Sequence, residues 1–283
     1  MCLCLLPAKF VRRMYEVVSI CLIFVAVFAS ARLYFDAQKL VLPQCPQEEK
    51  VETWVQFVFD YSILSDFDIE ALEARIEEDL AFSNLILSNS CIPMVRKSAG
   101  YEFFDARNAK PADMLSSHYE LNLQHRNLLE RAYQEPNFYV VLVLSEDNSY
   151  FDFEYKIAET WVDLFPNFVV SDVRAAPFAL EHELGHLAWA QHDLKTLSSQ
   201  LQSRTLNSMT TEDNQSQIKR YAHAALCGDS GTIMSYSDNL LPVYSSPNIT
   251  YQDQVCGNVE TADNARLLTE YARALRGKVS AKL

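Results

Sequence analysis

Beyond the first fifty residues, the earliest continuous apolar stretch is 54–61, whose aromatic and β-branched side chains read as a strand. Ser65 with Asp68 resembles a capping box. Behind it Ile69, Leu72, Ile76 and Leu80 recur at helical spacing, with Glu70, Glu73, Glu77 and Glu78 around them, so one face packs and the rest is solvated. Residues 85–95 and 101–104 read as strands. Residues 113–132, carrying Leu115, Leu121, Leu128 and Leu129, read as a second helix, and Phe138–Leu144 is an unbroken apolar run typical of a parallel strand covered on both faces. Residues 150–155 alternate, with Asp152 and Glu154 interposed, as in an exposed edge strand, and 168–170 make the last short strand. Such alternation of strand and helix predicts an α/β sheet with crossover helices. The closing stretch 261–275, with Ala265, Leu268, Tyr271 and Leu275 on one face, reads as a packing helix.

The N-terminus follows a different rule. Lys9, Arg12 and Arg13 precede a run at 17–31 that is almost entirely apolar or small and ends in Ala29-Ser30-Ala31, the layout of a secretory signal peptide. The run is shorter than the ~20 residues that span a bilayer. Leu33, Tyr34 and Phe35 could extend it, and the alternative is an uncleaved anchor; only then is a membrane a partner. The expected layout is a signal peptide at 1–31, a polar lead at 32–50 and one domain at 51–283, placed in a secreted or periplasmic location, or outside the cytoplasm on an anchor.

With 49% hydrophobic and 22% charged residues in 283, the chain can bury an ordinary core, and only six glycines and ten prolines argue against a linker-rich array. A net charge of -13 argues against nucleic acid, whose binding needs Lys and Arg to neutralise phosphates. Outside the leader, Cys45, Cys91, Cys227 and Cys256 form an even set that suits two disulfides in an oxidising compartment. Three pairings are open; Cys45 with Cys91 and Cys227 with Cys256 close the shorter loops. A lone Cys45 capping a metal is the alternative role for that residue.

Residues 182–192 read His-Glu-Leu-Gly-His-Leu-Ala-Trp-Ala-Gln-His. On a helix, His182 and His186 differ by about 40° of rotation, so both imidazoles project from one face at metal-ligand spacing. Glu183, one step round, can reach a metal-bound water without becoming a ligand. His192 lies about 240° past His186 on a continuing helix, so it joins them only if the helix stops near 188–190 and the chain turns sharply. A second element, Gly231-Thr232-Ile233-Met234-Ser235-Tyr236, places Met234 42 residues after His192.

Together these resemble the metzincin zinc endopeptidases, whose H-E-x-x-H-x-x-G-x-x-H is followed by a Met-turn beneath the metal. Asp193 after the third His, 168–172 upstream, and Ser245-Ser246-Pro247, Cys256-Gly257 and 262–266 downstream are most similar to the reprolysin (adamalysin-like) branch and its bacterial relatives. The resemblance is specific over 168–276 and architectural over 51–166. It implies a metzincin-like α/β (α+β) fold with a mixed twisted sheet, crossover helices, a zinc-binding active-site helix, a Met-turn and a C-terminal helix. It further implies Zn2+ held by His182, His186 and His192, Glu183 as general base and acid, Met234 as the floor of the site, and a protein or peptide substrate. Tyr236 would reach the zinc or the tetrahedral oxyanion, and an exposed strand would align an extended peptide.

One position departs from the pattern. Trp189 stands where the family has the Gly that permits the turn, and an αL residue with a side chain costs about 1–2 kcal/mol. Zinc binding can absorb that, with Asp193 as the substitute third ligand if His192 is lost. The other class of reading is a catalytically impaired, secreted metzincin-fold binding protein in which Trp189 has distorted the site; an intact Glu183 argues against it. The polar stretch 194–225 carries no assignable chemistry.

Overall fold

The computed structural model describes residues 40–106, 111–152 and 156–281; the expected signal peptide at 1–31 lies outside them. Strand β1 (Leu40–Val41) is followed by the long β2 (Val51–Asp60). Helix α1 (Ile69–Asn89) leads to β3 (Met94–Phe104), and α2 (Met114–Gln124) with α3 (Arg126–Gln134) leads to β4 (Phe138–Leu144). The short β5 (Ala158–Glu159), β6 (Phe168–Asp172) and α4 (Phe178–Leu187) come next. The chain then runs through α5 (Leu194–Leu201), α6 (Leu206–Met209), β7 (Leu226–Cys227) and β8 (Ser230–Gly231), and ends with β9 (Thr250–Tyr251), β10 (Gln254–Val255) and α7 (Asn264–Ser280).

The main sheet has the order β3-β2-β4-β6-β5, parallel throughout except for β5, which runs antiparallel along one edge. Strand β4 shows why its run is unbroken. Tyr139, Val141 and Val143 pack with Leu72, Ile76 and Leu80 of α1 and Leu180 and Leu184 of α4, while Phe138, Val140, Leu142 and Leu144 pack with Leu121 and Leu129 on the opposite face. Both faces are covered, as a parallel sheet requires. A further core joins Ile233, Met234 and Tyr244 to Leu268, Ala272 and Leu275 of α7, supporting α4 from beneath. This is a mixed α/β fold with a twisted mixed sheet, compatible with the metzincin-like architecture.

Four local expectations need correction. The cap of α1 is Asp68, which accepts from the backbone N–H of Ala71; Ser65 instead donates to Ser62 O. Residues 85–89 continue that helix, because Ser83, Ile86 and Leu87 extend its buried stripe, and a turn through Cys91 (φ 56) then starts one continuous β3 where two strands were expected. The helix expected at 113–132 is two, broken at His125 with its Nε2 bonded to Phe103 O. The exposed edge strand is Ala158–Glu159: residues 149–151 form a 3-10 turn, and 153–155 lie outside the described residues. Cys45 is joined to Cys91 and Cys227 to Cys256, which excludes a free Cys45 thiol as a metal cap.

Candidate metal centre

Helix α4 grows out of a short turn after β6 and is buried on almost every side. Glu181 anchors it: its two carboxylate oxygens accept from Nε and Nη2 of Arg96 on β3, both at 3.0 Å, with the pair sealed from solvent. Tyr244 Oη sits 2.9 Å from the same carboxylate and from the Glu181 carbonyl. A buried pair of this kind adds orientation more dependably than net stability. One turn on, a Cβ on Gly185 would lie 2.7 Å from Tyr244 Oη and 2.8 Å from Met234 Sδ, so glycine there lets both side chains come up against the helix.

The helix ends as the motif demands. Ala188 caps it, and Trp189 takes the left-handed conformation with φ 70. Ala190 N–H donates to Gly185 O and Trp189 N–H to His186 O, the double closure of a Schellman turn with tryptophan where glycine is usual. The turn aims the Ala190 carbonyl at His186 and carries His192 back toward the helix.

His182, His186 and His192 converge: His192 Nε2 lies 3.1 Å from His182 Nε2 and 3.0 Å from His186 Nε2. Their outer nitrogens explain how. His182 Nδ1 donates to Ile233 O (2.9 Å), His186 Nδ1 to Ala190 O (2.8 Å), and His192 Nδ1 meets Gln200 Oε1 (2.8 Å). A carbonyl can only accept, so the protons sit on Nδ1 and each Nε2 presents a lone pair. Burial holds all three imidazoles below their ordinary pKa, His182 down to about 4, and keeps them neutral. Three lone pairs facing one point repel each other unless a cation lies among them, and a neutral imidazole set is what such a metal needs.

Glu183 borders a cleft of about 710 Å³ whose wall includes Ile157, Phe178, His182 and Tyr236. Its burial, with Glu159 across the cleft adding repulsion, pushes its carboxyl up to about 8. Met234 is fully buried. Tyr236 is exposed, with its ring 4.5 Å from that of His192, and its oxygen accepts from Gln200 Nε2 (3.3 Å). Asp193 faces away from the cluster. It caps α5, accepting from Lys195 N, Thr196 N and Thr196 Oγ1.

The sequence reading did not find Gln200 or Glu159. Asp193 followed by Leu194, Leu197 and Leu201 at helical spacing is the signal that would have placed α5, and Gln200 on it. Glu159 belongs to a strand too short to give a pattern; its oxygens accept from Tyr150, Lys156 and Trp161, which hold its carboxyl ionised against burial. His223 is buried, with Nδ1 near His192 O.

No family model matches the chain. Over 134 residues, 46% of the chain, it is 30% identical to a peptidyl-Asp metalloendopeptidase of Xanthomonas campestris pv. campestris, and the match spans 28% of that relative's length. Among solved structures, a chain from the structure of a chaperone-substrate complex superposes with a TM-score of 0.59 at 14% identity, covering 81% of this chain and 35% of that one. That likeness is one of fold.

Proposed function

We propose that the chain is an exported zinc endopeptidase of metzincin type, nearest in its motifs to the reprolysin branch and its bacterial relatives, with residues 51–283 as the protease domain behind a signal peptide at 1–31. The observation that carries this reading is the convergence of three imidazole lone pairs beside the Glu183 carboxylate in an open cleft. Two disulfides suit the oxidising compartment that export implies.

His182, His186 and His192 would hold the zinc, which when bound acidifies a water and polarises a carbonyl as a Lewis acid. Glu183 would accept a proton from a water held there and return it to the nitrogen of the departing amine. Tyr236, whose oxygen already accepts from Gln200, has its own O–H free to donate to the carbonyl oxygen as charge develops there. The outer edge of β5, which has no neighbouring strand among the described residues, lies beside the cleft and offers main-chain groups along which an extended peptide can align.

Casein hydrolysis by the exported, purified chain tests the reading, with metal analysis alongside. We expect one zinc per chain, activity lost to a chelator and regained with zinc, and a Glu183→Ala variant that keeps the metal but not the activity. Absence of stoichiometric metal after zinc-replete purification would overturn it. The Xanthomonas relative is named for peptidyl-Asp, so a peptide series with and without aspartate belongs in the assay.

A further inference from the structure

The helix that follows the third histidine carries a side chain placed to act on the centre from outside it. Gln200 stands two turns along α5, a helix whose cap, Asp193, is the neighbour of His192, so His192 and Gln200 belong to one rigid unit. Its amide has two ends and two partners: Oε1 is 2.8 Å from His192 Nδ1, and Nε2 is 3.3 Å from Tyr236 Oη.

We propose that Gln200 is a positioning residue that sets both the tautomer of His192 and the direction of the Tyr236 hydroxyl. The inference rests on reading His182, His186 and His192 as metal ligands. Turning the amide over would place its NH₂ against Nδ1, which must then lose its proton to Nε2 and aim an N–H into the three-histidine centre. Metal binding and that orientation exclude each other. With Oε1 committed to Nδ1–H, the NH₂ end can only donate, and the Tyr236 oxygen accepts; its own proton is then directed elsewhere, toward the cleft. His182 and His186 take their acceptors from the backbone, which no side-chain change removes. His192 alone of the three relies on a side chain, and Gln200 ties its geometry to that of Tyr236.

The test separates the two functions of the amide. Metal-free wild type, Gln200→Ala and Gln200→Glu are titrated with zinc against a chromophoric chelator, and peptide kcat and KM are measured for each variant with and without Tyr236→Phe. Gln200→Ala loses the acceptor and should bind zinc about 10- to 100-fold more weakly, the usual cost of removing a ligand's hydrogen-bond partner. Gln200→Glu keeps an acceptor for Nδ1–H but has nothing to donate; it should bind zinc as tightly as wild type, lower kcat with KM unchanged, and lower it no further once Tyr236→Phe is present. Unaltered zinc affinity in Gln200→Ala would overturn the tautomer role. A kcat loss in Gln200→Glu that persists in full with Tyr236→Phe would overturn the link to the tyrosine. Wild type that binds no zinc would instead defeat the reading of the centre, and this inference with it.

Discussion

At the scale of single residues, Trp189 combines a steric cost with a geometric necessity. Its φ of 70 closes the Schellman turn that delivers the Ala190 carbonyl to His186 and His192 to the cluster, so the turn survives without glycine. The indole is half-buried against the Met234 core, which offsets part of the backbone cost. Trp189→Gly and Trp189→Ala both remove that packing, but only glycine relaxes the left-handed backbone. Trp189→Gly should therefore be more stable than Trp189→Ala by about 1 kcal/mol, with zinc affinity retained in the glycine variant. Urea unfolding of the two variants checks this, and equal stabilities would show that the turn stores no strain. Gly185 poses the opposite case. Alanine there gains helix propensity yet must displace Tyr244 or Met234, so Gly185→Ala should destabilise by about 1–3 kcal/mol despite that gain, measured in the same way.

At the scale of elements, Asp79 in α1 marks where polar chemistry intrudes on a packing face. It pairs with Arg75 at 2.9 Å, but its Oδ1 has no partner among the described residues, and burial pushes its carboxyl up to about 6. Since the unfolded value is near 3.9, the folded chain holds this proton the more tightly. The stability from Asp79 is thus fully present below about pH 4 and is lost as pH rises through about 6, at a cost of up to about 3 kcal/mol. Asp79→Asn removes the titration and keeps an acceptor for Arg75. Relative to wild type it should gain stability progressively between pH 4 and pH 7 in urea unfolding, and a pH-independent difference would refute the assignment. The same helix shows what sequence pattern can and cannot reveal. Leu72, Ile76 and Leu80 are legible because equal spacing repeats one face; Ser83 continues the buried stripe but, being polar, breaks its apolar pattern, and Leu85-Ile86-Leu87 then imitates a strand. Strand β4 is legible because both its faces are covered, whereas β5, at two residues, is too short to carry any period. The spacing of the three histidines can be read directly, since a helix of known pitch converts it to geometry. Gln200, Glu159 and the Arg96–Glu181 pair join the site only through contacts between distant segments, and no local pattern announces those.

At the scale of the whole molecule, the two disulfides brace different things. Cys45–Cys91 fastens the segment before β2 to the end of α1, and Glu48 of that segment also engages Arg273 and Arg276 of α7, so this link ties the periphery together. Cys227–Cys256 instead joins the hairpin β7–β8 to β9–β10, and β8 runs directly into the turn that holds Met234. That turn supplies the Ile233 carbonyl that orients His182, and it is itself held by Ile233 N–H on Val243 O and by Thr232 on Ala225. By loop length, separations of 46 and 29 residues predict similar entropic contributions of about 4 kcal/mol each, so stability alone should hardly tell the two apart. Metal affinity should. Replacing Cys227 and Cys256 together by serine loosens the support of the Ile233 carbonyl and should weaken zinc binding about 10-fold. Replacing Cys45 and Cys91 together should lower the unfolding midpoint and leave zinc affinity as it is. The measurement is zinc competition on both double variants at a temperature where each remains folded by circular dichroism. Equal losses of affinity would mean that the centre depends on global stability and not on the turn beneath it.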